Sequence, residues 1–183
     1  MKLFIVTLLL SIFLLACNEK SSVTTLPSVS QLTYYEVAGM RVKLPARPQS
    51  ETVQMPAQAM ELLESMETHV VEKGWPMIYI SKYVYKGLEP DLDSAAEGSV
   101  AEVKAQSTVK MFTSSKDRVV VSGLKGWSIS LNYNNSGFSF NHYILVLVRG
   151  KEMWQIQVTG QSEGNGQPMA NLKEAIFGSV ELQ

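Results

Sequence analysis

Hydrophobic and polar positions alternate along much of the chain, and that period of two predicts strands. Thr33-Tyr34-Tyr35-Glu36-Val37 and Met40-Arg41-Val42-Lys43-Leu44 flank Ala38-Gly39, which predicts a hairpin. Pro45 and Pro48 stop it, and Glu51 to Met55 reads as another short strand. Residues 57 to 72 fit two patterns. Leu63, Met66 and Val70 share a helical face, whereas Met66, Thr68, Val70 and Glu72 alternate as in a strand from 65, the reading adopted here. Met77 to Tyr85 follows the Gly74-Trp75-Pro76 turn and is rich in aromatic and β-branched residues, so it predicts a strand. Asp93 and Ser94 then supply N-cap chemistry. Ser94 and Glu97 have capping-box spacing, and Ala96, Val100 and Val103 recur at helical intervals.

Strand patterns return at Thr108 to Phe112 and Arg118 to Val121. Trp127, Ile129, Leu131 and Tyr133 alternate with polar residues, predicting one buried and one wet face. Asn134-Asn135-Ser136-Gly137 is turn chemistry, and the apolar run Tyr143 to Val148 predicts a strand covered on both faces. Trp154, Ile156 and Val158 alternate after the Arg149 to Glu152 turn. Gly160 to Gln167 reads as a polar loop, Pro168 as the first residue of a helix, and Met169, Leu172 and Ile176 as its apolar stripe, ending at Gly178. Short turns make successive strands antiparallel neighbours, and two one-sided helices cover sheet faces. The expected class is α+β, an antiparallel sheet sandwiched by helices.

The first residues read differently. Lys2 precedes an apolar run in which Thr7 and Ser11 are the only polar side chains before Leu14-Leu15-Ala16-Cys17. The run is short of the roughly 20 residues that a spanning helix needs. The closing tetrapeptide resembles the lipobox of bacterial lipoproteins, whose cysteine is acylated and becomes the mature N-terminus. That resemblance implies a signal peptide over 1–16, lipidation of Cys17 and a domain held in the periplasm. Asn18 after the cysteine favours the outer membrane. Two or more acyl chains anchor far better than one. Removing 16 residues, Lys2 among them, leaves 167 of the 183 and takes the formal charge from −1 to −2. Residues 17–32 then form the lipidated cysteine and a polar tether, and 33–183 a single domain of ordinary size.

The order of elements, from the hairpin leading into Leu44-Pro45-Ala46-Arg47-Pro48, through Asp91-Leu92-Asp93 and the Gly126 to Tyr133 strand, to Phe177-Gly178-Ser179-Val180, resembles the Mog1/PsbP-like fold. Its members include photosystem extrinsic subunits and a Ran-binding nuclear protein, which share architecture without common chemistry. The resemblance implies an α/β/α sandwich and no catalytic residues.

Candidate chemistry is sparse. A net charge of −1 gives no attraction to phosphate backbones, so nucleic acid is not an expected partner. One cysteine allows neither an internal disulfide nor a cysteine-based zinc cluster. His69 and His142, the only histidines, lack metal-ligand spacing; a joint site would need them to converge with Glu67 or Asp117. The Glu89 to Asp93 run fails the EF-hand template at Ala95 and Ala96, and reads instead as Asp93 capping a helix with Asp91 near its positive end. The Gly160 to Gly166 loop lacks a Walker lysine, no G-x-S-x-G occurs, and the methionines read as core. Tyr79, Tyr83 and Tyr85 share a strand face and could line a ligand or partner surface; packing under a helix is the more ordinary role. The resulting expectation is a lipid-anchored, non-enzymatic envelope module without cofactor or metal, binding an envelope protein or a small apolar ligand. The alternatives are a metal-handling or hydrolytic protein using His69 and His142, and a periplasmic immunity lipoprotein of a secretion system.

Overall fold

The computed structural model describes residues 26–71, 76–162 and 166–183. The signal-peptide, Cys17 and first tether positions, the Gly74-Trp75 part of the expected turn and residues 163–165 of the expected loop lie outside them. Among the described residues no helix is long and apolar enough to cross a membrane.

After a single 3-10 turn at Val29–Gln31, β1 (Thr33–Val37) and β2 (Met40–Leu44) form the expected hairpin. Its turn residues Ala38 and Gly39 have φ of 54° and 69°, the paired left-handed geometry of the turn that best matches strand twist. Next come β3 (Gln49–Glu51), α1 (Ala57–Glu61), β4 (Leu63–Val70) and β5 (Met77–Tyr85). The third strand thus precedes the expected Glu51 to Met55. Strand periodicity prevails from Leu63 onward, with one helical turn before it. Then follow α2 (Leu92–Lys104), β6 (Val109–Val121), β7 (Leu124–Asn135), β8 (Phe138–Arg149), β9 (Glu152–Gln161), α3 (Gly166–Phe177) and β10 (Glu181–Leu182).

Seven strands form one sheet in the order β3-β4-β5-β9-β8-β7-β6, each pair antiparallel. β1, β2 and β10 form a separate three-stranded sheet. The α+β sandwich therefore holds, with an addition: one face of the large sheet is covered by α2, the other by α3 together with the small sheet. On the α3 side Met169, Leu172 and Ile176 pack with Met40, Val42 and Leu44 of β2 against Ile78, Ile80, Leu145, Leu147, Trp154, Ile156 and Val158. On the α2 side Ala95, Ala96 and Val103 pack on Ile129, Leu131, Ile144 and Val146. Trp154 joins the two sheets, its indole Nε1 donating to Ala38 O at 2.8 Å.

Four local expectations change. The N-cap of α2 is Asp91, whose Oδ1 accepts from Ser94 N at 2.7 Å. Asp93 instead accepts from Arg118 Nη2 at 2.6 Å and Trp127 Nε1 at 2.7 Å, fastening the first turn of α2 to β6 and β7. The two strand patterns at 108 to 121 are one strand, β6, with a bulge between Lys110 and Thr113 where Met111 has φ of 50°. Pro168 is the third residue of α3 rather than the first. After that helix, Gly178 N bonds Glu174 O and the chain continues into β10, an element with no periodicity to announce it.

Two substitutions check this packing. Asp91→Ala, by removing the cap, should lower stability by about 1 kcal/mol in urea unfolding. Gly126 faces Leu147 across β7 and β8, and a Cβ there would meet Leu147 Cδ2 at 2.5 Å and Val146 O at 2.6 Å. Gly126→Ala should therefore cost about 1–3 kcal/mol in the same measurement.

Candidate functional site

The two faces of the large sheet differ in chemistry. Strand β9 sends Trp154, Ile156 and Val158 into the α3-side core, and Gln155, Gln157 and Thr159 to the α2 side, where all three are buried. Register extends that polar character across the sheet. Gln155 is opposite Ser81 of β5, which is opposite Thr68 of β4; Thr159 is opposite His142 of β8. Thr68, Ser81 and His142 are buried as well. Buried polar groups cost free energy unless hydrogen-bonded, so their bonds must be accounted for.

Some of those bonds are present. The Thr68 and Ser81 hydroxyls are 3.0 Å apart. Gln155 Nε2 donates to Ser99 Oγ of α2 at 3.0 Å, and Ser99 donates to Ala95 O at 2.9 Å. His142 Nε2 and Gln157 Oε1 are 3.1 Å apart. With the amide oxygen accepting, Nε2 carries the proton and Nδ1 is left as a bare acceptor. Among the described residues Nδ1 of His142, Oη of Tyr83 and Oε1 of Glu102 are buried without a hydrogen-bond partner.

Glu102 stands one helical turn beyond Ser99, so both side chains lie on one side of α2. Burial pushes its carboxyl up to about 8. Burial also raises the Tyr83 hydroxyl well above its ordinary value; the nearby Ser81 hydroxyl offsets part of that rise and the Glu102 carboxyl adds to it. Burial pulls His142 down to about 4, the Gln157 hydrogen bond opposing it, so the imidazole is neutral at pH 7. Thr68 and Ser81 thus pair across β4 and β5, Ser99 of α2 pairs with Gln155 of β9, and Tyr83 and Glu102 lie close enough to influence one another, a polar row with no formal charge at neutral pH.

The tyrosine face therefore belongs largely to the interior. Tyr83 is 0% and Tyr85 8% exposed, both in the α2-side core, and Tyr79 is half-buried on the same strand face. They do not form an exposed surface, because β5 lies next to the central strand and Tyr83 and Tyr85 pack into the α2-side core. The histidine pair does not converge. His69 lies on β4 beside Glu67, 3.4 Å away, and strand parity puts it on the α3 side, opposite His142. β5 and β9 intervene between their strands, and Asp117 is on edge strand β6. The shared metal site considered from the sequence is thereby corrected: the two imidazoles cannot reach one ion. Among the described residues no group of three or more His, Cys, Asp or Glu could hold a metal.

Sequence reasoning missed Glu102, Gln155, Gln157, Thr68, Ser81 and Ser99. Strand alternation at 154–159 marked the polar side chains, but the same alternation fits a solvated face.

No protein-family model and no curated protein matches this chain. Among solved structures it is similar to LpqN, involved in cell envelope biogenesis of Mycobacterium tuberculosis, at 12% identity and TM-score 0.48, covering 83% of each chain. It is also similar to PA94, a Pseudomonas aeruginosa protein of unknown function, at 12% identity and TM-score 0.43, covering 79% of this chain and 93% of that one. A Bacteroides thetaiotaomicron protein matches at 11% identity and TM-score 0.45, over 84% of this chain and 49% of that one. At these values the likenesses assign neither family nor function.

Glu102 makes a signed prediction. Between its ordinary value of 4.5 and its folded value of about 8, the folded chain keeps a proton that the unfolded chain has released. Stability should fall as pH rises through that window. Glu102→Gln should flatten the fall, measured as the difference in Tm between the two ends of the window.

Proposed function

We propose that this chain is a lipid-anchored cell-envelope protein that acts by binding a ligand or protein partner rather than by catalysis. Leu14-Leu15-Ala16-Cys17 after an apolar run supports the lipid address, with the cysteine joined to the membrane and the domain in the periplasm. The polar sequence from 18 to 25 supplies the reach that a membrane-held domain needs, since Leu26 and Leu32 already pack against the α3-side core. Asn18 after the cysteine favours the outer membrane.

The observation that carries the binding reading is the buried polar row Thr68, Ser81 and Gln155 beside Tyr83, together with the Glu102 Oε1 that is buried without a hydrogen-bond partner among the described residues. A core built for stability alone would fill that space with aliphatic side chains, as the opposite faces of β5 and β9 largely do. Incompletely paired polar groups in a packed interior suit recognition, where the partner completes their bonds. The separation of His69 from His142 removes the pair on which a metal-handling or hydrolytic role rested.

Replacing Cys17 tests the address directly. The wild-type chain should fractionate with membranes and carry acyl mass on Cys17, and Cys17→Ser should appear in the soluble envelope fraction. Identical fractionation of the two forms, or an unmodified wild-type cysteine by mass spectrometry, would overturn the lipid anchor.

A further inference from the structure

We propose that the outer face of the small sheet, which carries Tyr34, Arg41 and Lys43, lies against the phosphate headgroups of the bilayer that holds Cys17. The inference rests on the lipid anchor proposed above and adds the side from which the domain meets the membrane.

Reach decides the side. Leu26 and Leu32 pack on the α3-side core, and the 3-10 turn between them touches α3. The chain therefore enters the domain in the layer formed by α3 and the small sheet. Nine residues, 18 to 26, separate Cys17 from that point, and fully extended they span about 30 Å at most. A sheet and its cover pack about 10 Å apart, so three layers are about 30 Å thick. Turning the α2 layer to the bilayer would take up that whole length, whereas turning the α3-side layer takes up little of it.

The chemistry of the face agrees. Met40, Val42 and Leu44 of β2 point into the core, so Arg41 and Lys43 point out, and register sets Tyr34 opposite Lys43 on the same face. Arg41 Cζ stands 4.1 Å and Lys43 Nζ 5.1 Å from the centre of the Tyr34 ring. A phenol ring flanked by cations suits the headgroup zone, where the ring meets apolar stems and the cations donate to phosphate. Val29, half exposed on the entry turn, adds an apolar contact in the same layer. Two carboxylates share the face: Glu36 is opposite Arg41 in register, and Glu181 pairs with Arg41 at 3.1 Å, both partners about half exposed. An ion pair so exposed contributes little, and a lipid phosphate can take the place of Glu181. Glu51, Glu61, Glu64 and Glu67 are exposed along the β3–β4 edge, so an edge-on approach would set like charge against phosphate.

The test places the full acylated chain in vesicles of phosphatidylglycerol and phosphatidylcholine that carry a nitroxide on some headgroups. Acylation occupies Cys17, so one introduced cysteine takes a fluorescent label: Thr33→Cys at the start of β1, or Ala101→Cys on the exposed side of α2. The nitroxide should quench the label at 33 at least about threefold more than the label at 101. Adding Lys43→Ala or Arg41→Ala should lower the docked-to-free ratio read at 33 about fivefold, the effect of one surface cation, while Lys43→Arg stays within about twofold. The melting temperature of each variant reports its folding; if Arg41→Ala does not fold, Lys43→Ala carries the test. Stronger quenching at 33 that depends on these cations supports the docked face. Equal quenching at the two positions, stronger quenching at 101, or quenching at 33 indifferent to both cations, in a chain that is acylated and bound to vesicles, overturns this inference alone and leaves the face to a protein partner. A wild-type chain without acyl mass on Cys17 that stays out of the vesicle pellet overturns the membrane address and this inference with it.

Discussion

Strand β9 is the middle of seven, and neither of its faces is left to water. From 153 to 160 every residue is buried, and the side chains still alternate Trp, Gln, Ile, Gln, Val, Thr from 154. The two cores follow from that one strand. Its apolar half requires a cover of matching width, and α3 supplies it together with the β1–β2 hairpin, docked through the Trp154 bond to Ala38. Its polar half requires hydrogen-bonding neighbours. His142 on the flanking strand β8 meets Gln157, and Ser99 on α2 meets Gln155. A slip of one residue in β9 would exchange the halves and leave glutamines against Met169 and Leu172.

The cost of the polar half is visible in Glu102. A carboxyl held protonated to about pH 8 by burial is an expense of the folded state that Gln or Leu at the same place would avoid. Proteins keep such arrangements mainly where the group has work to do. His142 has the opposite sign. Its imidazole is held neutral by burial, so acid destabilises the fold as pH falls from 6.5 towards about 4. The two groups therefore bracket a pH range in which the imidazole and this carboxyl are both uncharged.

Most of the framework was legible in the sequence because local pattern and tertiary role agree. The hairpin at 38–39, the strand at 77–85 and the apolar stripe of α3 lie where periodicity placed them. Disagreements arise where a tertiary partner decides. Asp91 and Asp93 are equally good caps by type; Arg118 and Trp127, distant in sequence, claim Asp93 and leave the cap to Asp91. β10 has only two residues, and it exists because β2 offers it an edge.

The site was hidden for a related reason. Period-two alternation separates the faces of a strand but says nothing of what lies above each face. Gln155 and Gln157 carry the same pattern as Ser130 and Asn132 of β7, and the difference lies in position within the sheet. β9 sits under cover on both sides, whereas β7 is next to the edge. An ordinary half-wet strand and a strand buried on both faces are thus written in the same alphabet. What separates them is strand order, which sets Thr68, Ser81 and Gln155 in one row across β4, β5 and β9, within an otherwise apolar face, and brings Ser99 of α2 onto Gln155.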